Sequence, residues 1–171
     1  GKDALRLNTE GYRNNAFGKE SLESNTFGAY NNAFGYRSLY NNNSGYRNCA
    51  FGDYNLVNNT SGTRNTSVGH RAMQFNTTGV LNSAFGYHAL ISNTTGANNT
   101  ALGAGSLHAN TTAGNNTAVG YQAAYNNTTG TENTTLGRVS LLTNTTGNEN
   151  TAIGSVALYY NTTGSNNVAV G

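Results

Sequence analysis

The sequence predicts an all-β protein, a parallel β-solenoid whose ten coils form one domain over residues 1–171. Three observations support this class. Glycine recurs every 17 residues from Gly18 to Gly171, so that Gly1 and ten 17-residue repeats account for the chain. Two positions of the repeat are asparagine in all ten copies. The repeat is also half as long as the roughly 33 residues that helical repeat families need, and it is rich in poor helix formers.

The length of the repeat suits one turn of a slender solenoid. At about 3.3 Å per extended residue, 17 residues make a loop of about 56 Å at most. Coils that stack at about 4.8 Å give ten coils a rod of about 48 Å. Equivalent residues then form columns along the rod, and the columns carry the physical roles.

The first element is a pair of bulky apolar columns, which we expect to fill the core and drive folding. The leucine column contains Leu5, Leu22, Leu39, Leu56, Met73, Leu90, Leu107, Ala124, Leu141 and Leu158. The second column contains Phe17, Phe34, Phe51, Val68, Phe85, Leu102, Val119, Leu136, Ile153 and Val170.

The second element is a pair of asparagine ladders. Stacked Asn side chains can bond amide to amide along the axis, whereas stacked carboxylates would repel, and neither column contains a single Asp. Asn also tolerates left-handed turn geometry. The first ladder is predicted to include Asn42, Asn59, Asn76, Asn93, Asn110, Asn127, Asn144 and Asn161. The second is predicted to include Asn48, Asn65, Asn82, Asn99, Asn116, Asn133, Asn150 and Asn167.

The third element is a set of glycine corners, where φ is positive or no Cβ fits. We predict them at Gly52, Gly69, Gly86, Gly103, Gly120, Gly137 and Gly154. A second glycine column, which includes Gly96, has one gap at Ala113.

The fourth element is a short strand before each corner, as in Asn-Thr-Ala-Leu-Gly at 99–103. Its alternation places Thr and Leu on one face and Ala on the other. Two small-residue columns are expected to face outwards. They contain, for example, Ala89, Ser106 and Ala123, and Ala84, Ala101 and Ala118. They indicate either close approach of another subunit or tight corners without room for larger side chains.

Composition excludes several classes of function. A net charge of +2 is too small to indicate a nucleic-acid partner. No apolar run approaches the roughly 18 residues that span a bilayer, so no membrane insertion is expected in this segment. Cys49 is the only cysteine, and His70, His88 and His108 form no common column. We therefore predict no metal site, no cofactor and no enzymatic activity.

Two further motifs, Asn-Thr-Thr and the repeated threonines, fit either a function or a structural role. Asn-Thr-Thr begins at six positions of the first ladder, from Asn76 to Asn161, and fits the N-glycosylation acceptor. We favour a structural role for these Asn residues inside the ladder over glycosylation. Threonine ladders can also bind ice, but consecutive residues such as Thr94 and Thr95 face opposite sides, so ice binding is a minor alternative.

Exposed tyrosines are the candidate partner contacts. Two variable columns repeat tyrosine, with Arg37, Arg71 and His88 between them. Aromatic side chains beside Arg suit sugars or a partner chain. The candidate residues are Tyr36, Tyr40, Tyr87, Tyr121, Tyr125 and Tyr159.

The pentads Asn-Thr-Ala-Leu-Gly (99–103), Asn-Thr-Ala-Val-Gly (116–120) and Asn-Thr-Ala-Ile-Gly (150–154) resemble the head repeats of trimeric autotransporter adhesins. Their alternation with Asn-Thr-Thr-Gly is similar to arrays in phage-type tail fibres and large bacterial surface proteins. The resemblance covers the whole chain and implies a left-handed parallel β-roll, often trimeric. The adhesin repeat is nearer 14 residues than 17, which leaves coil shape and trimer packing open.

Together these features predict a structural role in an extracellular fibre, filament, surface stalk or virion fibre. Self-association as a homotrimer or an end-to-end filament is expected, because the repeats begin and end in phase without a polar cap. An excerpt from a longer array would look the same. The alternative is an adhesin head that binds glycan or a host surface.

Overall fold

The computed structural model describes residues 1–171 and confirms a parallel β-solenoid. Each coil contributes one three-residue strand, and consecutive strands are neighbours in a single ten-stranded parallel sheet. Thr100 pairs with Thr117 and Leu102 with Val119, so the register advances by one repeat per strand. The strands are β1 Asn15–Phe17, β2 Asn32–Phe34, β3 Cys49–Phe51, β4 Thr66–Val68, β5 Ser83–Phe85, β6 Thr100–Leu102, β7 Thr117–Val119, β8 Thr134–Leu136, β9 Thr151–Ile153 and β10 Val168–Val170.

Hydrogen bonds between coils extend well beyond the strands. Only 18 of the 113 backbone hydrogen bonds lie within the sheet. Outside it, the Leu90 N–H donates to the Ser106 carbonyl at 2.9 Å, and the Gly103 N–H donates to the Phe85 carbonyl at 2.8 Å. The turns are therefore stacked in register like the strands, which explains how 17 residues hold a fixed shape with so little regular structure.

The leucine column forms the core, as predicted. Leu22, Leu90 and Leu107 are fully buried, and Leu5 packs against the same cluster. Coil eight (121–137) interrupts the column. There Ala124 and Thr135 replace the usual leucine and alanine, and the main cluster ends before Leu141.

The prediction that the second bulky column fills the core is wrong. Its side chains lie on the outer face of the sheet, with Phe17 61% exposed and Leu102 47% exposed. The small columns, expected outside, are buried. Ala101 and Ser106 are fully buried. The interior of a 17-residue coil holds one leucine and two asparagines, so the walls opposite them admit only small side chains.

Positive φ occurs where the sequence gives little sign of it. The leucine column adopts it throughout, with Leu107 at 48° and Leu90 at 52°. The predicted corner at Gly103 is confirmed, with φ of 134°. Neither asparagine ladder contributes a positive φ, so the suggestion that its members use left-handed geometry is wrong. The leucine column tolerates positive φ because the stacked coils on both sides fix its backbone.

Candidate functional site

Stacked columns, rather than a pocket of catalytic side chains, are the distinctive features of the surface. No three His, Cys, Asp or Glu side chains lie close enough together to hold a metal ion. The protein has no helix with the length and apolar character of a membrane span. The candidate sites are therefore the ladders, the outer sheet face and two aromatic clusters.

The first asparagine ladder is a continuous chain of amide hydrogen bonds. The Asn93 Nδ2 donates to Asn76 Oδ1 at 2.8 Å and to the Gly96 carbonyl at 3.0 Å. Its Oδ1 accepts from Asn110 Nδ2 at 3.0 Å. Each amide therefore acts as donor and acceptor at once, which explains why the column excludes Asp.

The second ladder also binds the main chain. Asn116 Oδ1 accepts from the backbone N–H of Asn133 at 3.0 Å and from its Nδ2 at 3.2 Å. The Asn116 Nδ2 donates to the Gly130 carbonyl at 2.9 Å.

The glycine corners are closely packed. A Cβ at Gly103 would collide with the Gly120 carbonyl, so the corner column is restricted to glycine by close packing as well as by φ.

The predicted ladder role places the Asn-Thr-Thr acceptor nitrogens inside the coil. Asn93 is fully buried, and its amide hydrogens are bonded. In the threonine pair that follows, the Thr94 hydroxyl donates to the Thr111 carbonyl at 3.1 Å, and only Thr95 is exposed. The first five of the six pairs likewise expose only their second threonine, and the last pair, Thr162 and Thr163, is exposed at both positions.

The outer face of the sheet carries an uninterrupted apolar ridge. We define the apolar ridge as the ten side chains Phe17, Phe34, Phe51, Val68, Phe85, Leu102, Val119, Leu136, Ile153 and Val170. The first three rings stack at 4.8 Å and 4.6 Å. The neighbouring outward column is threonine in five of the ten strands and contains Cys49 in β3. Burial raises the pKa of the Cys49 thiol above its usual value.

Three predicted tyrosine contacts converge on what we call the histidine notch, a cavity of about 140 Å³. It forms where Ala104 and Gly105 supply almost no side chain between Tyr87 and Tyr121, which are both about half exposed. The remaining lining residues are His88, His108, Gln122 and Tyr125.

Ring stacking orders the walls of this notch. Tyr87 stacks on His88 at 3.8 Å, and His108 stacks on Tyr125 at 4.5 Å. Burial lowers the pKa of both histidines, and the nearby charges of His108, Arg71 and His70 lower that of His88 further. The His88 Nε2 is shielded from solvent and has no hydrogen-bond partner.

The other predicted tyrosines do not join that site. Tyr36 and Tyr40 both lie beneath the Arg37 guanidinium, at 5.3 Å and 5.1 Å. Arg37 also donates to Glu20, and this hydrogen bond is the main reason that the pKa of Glu20 is lowered. Tyr159 packs edge-to-face with Tyr160 at 4.7 Å.

A second aromatic cluster was missed from the sequence. We call it the aromatic groove, a cavity of about 440 Å³ in the first coils. Its lining residues are Tyr12, Phe27, Ala29, Tyr30, Ser44, Tyr46 and Arg47. The signal in the sequence is the pair of tyrosines, Tyr12 and Tyr46, that flank Ala29 at intervals of 17.

No protein-family model, curated protein or solved structure matches the chain.

Proposed function

We propose that the protein is a structural component of an extracellular fibre, filament or surface stalk, or of a virion fibre, and that it self-associates through the apolar ridge. The observation that carries this proposal is that one apolar side chain per coil lies on the outer face of the sheet along all ten coils, in register and without a covering segment; eight of the ten are exposed, and Phe34 and Val119 are half-buried.

The size of the ridge favours an interface. Eight of its members are about one-third to three-quarters exposed, so together they present several hundred Å² of apolar surface. The largest apolar patch on a typical monomer is roughly 300–600 Å², and patches of this size are often functional. The in-register pairing of the strands also places an apolar side chain at the equivalent position of every coil, which suits lateral packing of parallel rods in a trimer or bundle.

The interior supports a mechanical role. The two ladders and the stacked backbone bonds tie each coil to the next along the rod axis. Such a coil-to-coil network resists extension along the axis, because stretching must break many hydrogen bonds together. An end-to-end filament would extend the same network from one chain to the next.

The test is the solution mass of the protein by light scattering, compared between two charge-matched variants. Leu102→Lys with Leu136→Lys places two lysines on the ridge. The control, Thr95→Lys with Thr129→Lys, adds the same charges to exposed threonines in the same two coils. The wild type and the control are expected to associate, whereas the ridge variant is expected to remain monomeric because lysine disfavours burial. A monomeric wild type at high concentration, or equal association of both variants, would overturn the proposal.

A second candidate function is recognition of a glycan or a host surface by the variable columns. The specific observation that favours it is the pair of aromatic cavities, both built on tyrosines that stand two coils apart with an alanine between them. Reproducible binding on a glycan array by the monomeric ridge variant would support this function separately from self-association.

A further inference from the structure

We propose that the aromatic groove binds an acidic sugar unit, carboxylated or sulfated, of an anionic glycan. The site lies on columns other than the apolar ridge, so this inference does not depend on self-association. It rests on the shape of the groove, on its aromatic lining and on guanidinium groups that have no carboxylate partner.

The shape follows from one missing side chain. Tyr12, Ala29 and Tyr46 occupy the same column in coils one to three, and Ala29 is nearly buried at the base of the groove. Two coil spacings separate the tyrosines by about 9.6 Å. A ring placed over Ala29 would thus lie about 4.8 Å from each of the two tyrosines. The stacked rings of Phe17, Phe34 and Phe51 in the ridge are separated by a similar 4.6–4.8 Å.

The lining suits the apolar face of a pyranose. Tyr12 and Phe27 are both more than half exposed and flank the base. Tyr30 closes the side and meets Tyr12 edge-to-face at 5.3 Å. Aromatic faces of this kind provide apolar contact with C–H groups, while the Ser44 hydroxyl and the tyrosine hydroxyls provide hydrogen bonds.

The charge at the groove favours an anion. Arg13, Arg47 and Arg64 share the column beside it and are all exposed. Their guanidinium carbons lie 5.3–6.0 Å from the rings of Tyr30 and Tyr46. Every ion pair of the protein uses Arg6, Lys19 or Arg37 instead, so these three cations have no carboxylate within 4.0 Å.

Arg47 and Arg64 also stand in successive coils of the same column. Like charges directly opposite each other on adjacent strands or coils are unfavourable. A bound carboxylate or sulfate would relieve that repulsion and accept charge-assisted hydrogen bonds from the guanidinium groups. A neutral sugar would gain only the aromatic contact.

The test is titration of the monomeric ridge variant with three probes of similar length at low and physiological salt. The probes are an oligogalacturonate, a chondroitin sulfate oligosaccharide and a neutral cello-oligosaccharide. At least one acidic probe is expected to bind tenfold or more tightly than the neutral one, with an affinity that falls as salt rises. The two acidic probes distinguish carboxylate from sulfate recognition.

Two variants locate the site. Arg47→Gln is expected to weaken acidic-probe binding about tenfold, whereas Arg138→Gln, with the same charge change in coil nine, is expected to leave it unchanged. Ala29→Tyr places a ring where the same column already carries Tyr12 and Tyr46, and it is expected to abolish binding without lowering the thermal midpoint.

Three results would overturn the proposal. They are the absence of binding to both acidic probes, an equal loss of affinity in Arg47→Gln and Arg138→Gln, and tighter binding of a single-stranded oligothymidylate than of either acidic sugar. The last would mean that the column recognises polyanions by charge and base stacking rather than sugars.

Discussion

At the scale of single residues, the ladder asparagines carry the tightest chemical constraint. Each side chain must donate two hydrogen bonds and accept from the next coil. Only Asn meets this demand with the observed reach, because Asp has no amide donor and Gln adds a methylene to a packed interior.

We therefore expect Asn93→Asp to destabilise the protein by about 3 kcal/mol or more at pH 7. The carboxylate would face Asn76 Oδ1 and the Gly96 carbonyl, both acceptors, so part of the loss should be recovered in acid as the Asp is protonated. Chemical denaturation at pH 7 and pH 4 measures both effects. Asn98→Asp introduces the same charge at an exposed position, and a comparable loss there would contradict the ladder account.

Buried hydroxyls provide a second test. Ser67 replaces the alanine of the inward strand column in coil four, and its Oγ is buried without a partner. Ser140 is buried too, but its Oγ donates to the Gly137 carbonyl at 3.0 Å.

We expect Ser67→Ala to raise the free energy of unfolding by about 1 kcal/mol, because it removes an unsatisfied polar group. Ser140→Ala should lower the free energy by about 0.5–1.5 kcal/mol, because it removes a satisfied one. Urea denaturation of the two variants gives the comparison. A loss of stability in Ser67→Ala as well would show that Ser67 has a partner in solution.

At the scale of the coil, the sequence predicted the period, the ladders and the short strand, but reversed the two faces of that strand. Alternation in Thr-Ala-Leu shows that Ala101 and Leu102 face opposite ways and gives no information on which of them is inside. The larger side chain of Leu102 suggested that Leu102 is the residue that faces the core. The narrow interior is filled by Leu107 and the asparagines, so Ala101 is the residue that fits.

We accordingly expect opposite behaviour from two leucines of neighbouring coils. Leu107→Ala should destabilise the monomer by about 2–5 kcal/mol because it leaves a cavity in the core. Leu102→Ala should change monomer stability by no more than about 0.5 kcal/mol, as at other surface positions. Denaturation at protein concentrations low enough to keep the chain monomeric separates folding from association. A larger loss of stability in Leu102→Ala than in Leu107→Ala would indicate that Leu102 is the core residue, as the sequence predicts.

The histidine notch, through His88 in coil six and His108 in coil seven, makes the stability of the protein depend on pH. Burial lowers the pKa of His88 and His108 below the ordinary value of 6.5, so the folded state favours their neutral forms. Protonation then favours the unfolded chain. Stability from this source is complete above pH 6.5 and declines as the pH falls from there through the lowered pKa values of the folded state.

We expect the urea midpoint to fall between pH 7.5 and pH 5.5, a range in which the carboxylates remain ionised. His88→Gln with His108→Gln should flatten this dependence, whereas His70→Gln should leave most of it, because His70 is exposed and its charge is a minor cause of the lowered pKa of His88. An unchanged pH dependence in the double variant would contradict the assignment.

At the scale of the whole molecule, in-register stacking places the equivalent residues of successive repeats in columns along the rod. That is why the fold class was predictable from the glycine and asparagine columns. The positive φ of the leucine column and the aromatic groove were not predictable in the same way. The first depends on neighbours above and below that constrain the backbone, and the second on which variable columns lie side by side around the coil.

The same property underlies our proposal that the apolar ridge is an interface. One apolar residue is unexceptional in a single repeat, yet over ten coils the column becomes a continuous apolar surface beside a mainly polar column. Cys49 lies on this face, two residues before Phe51 in β3, and it is the only cysteine of the chain.

The most direct test is the rate at which a maleimide labels Cys49 over a range of protein concentrations. If chains associate through the ridge, labelling should slow severalfold as concentration rises, in parallel with the increase in mass. A variant that carries Cys49→Ser and Thr95→Cys moves the thiol to another column and should label at a constant rate. Equal protection at both positions would place the interface elsewhere, and a constant rate at Cys49 would contradict the account.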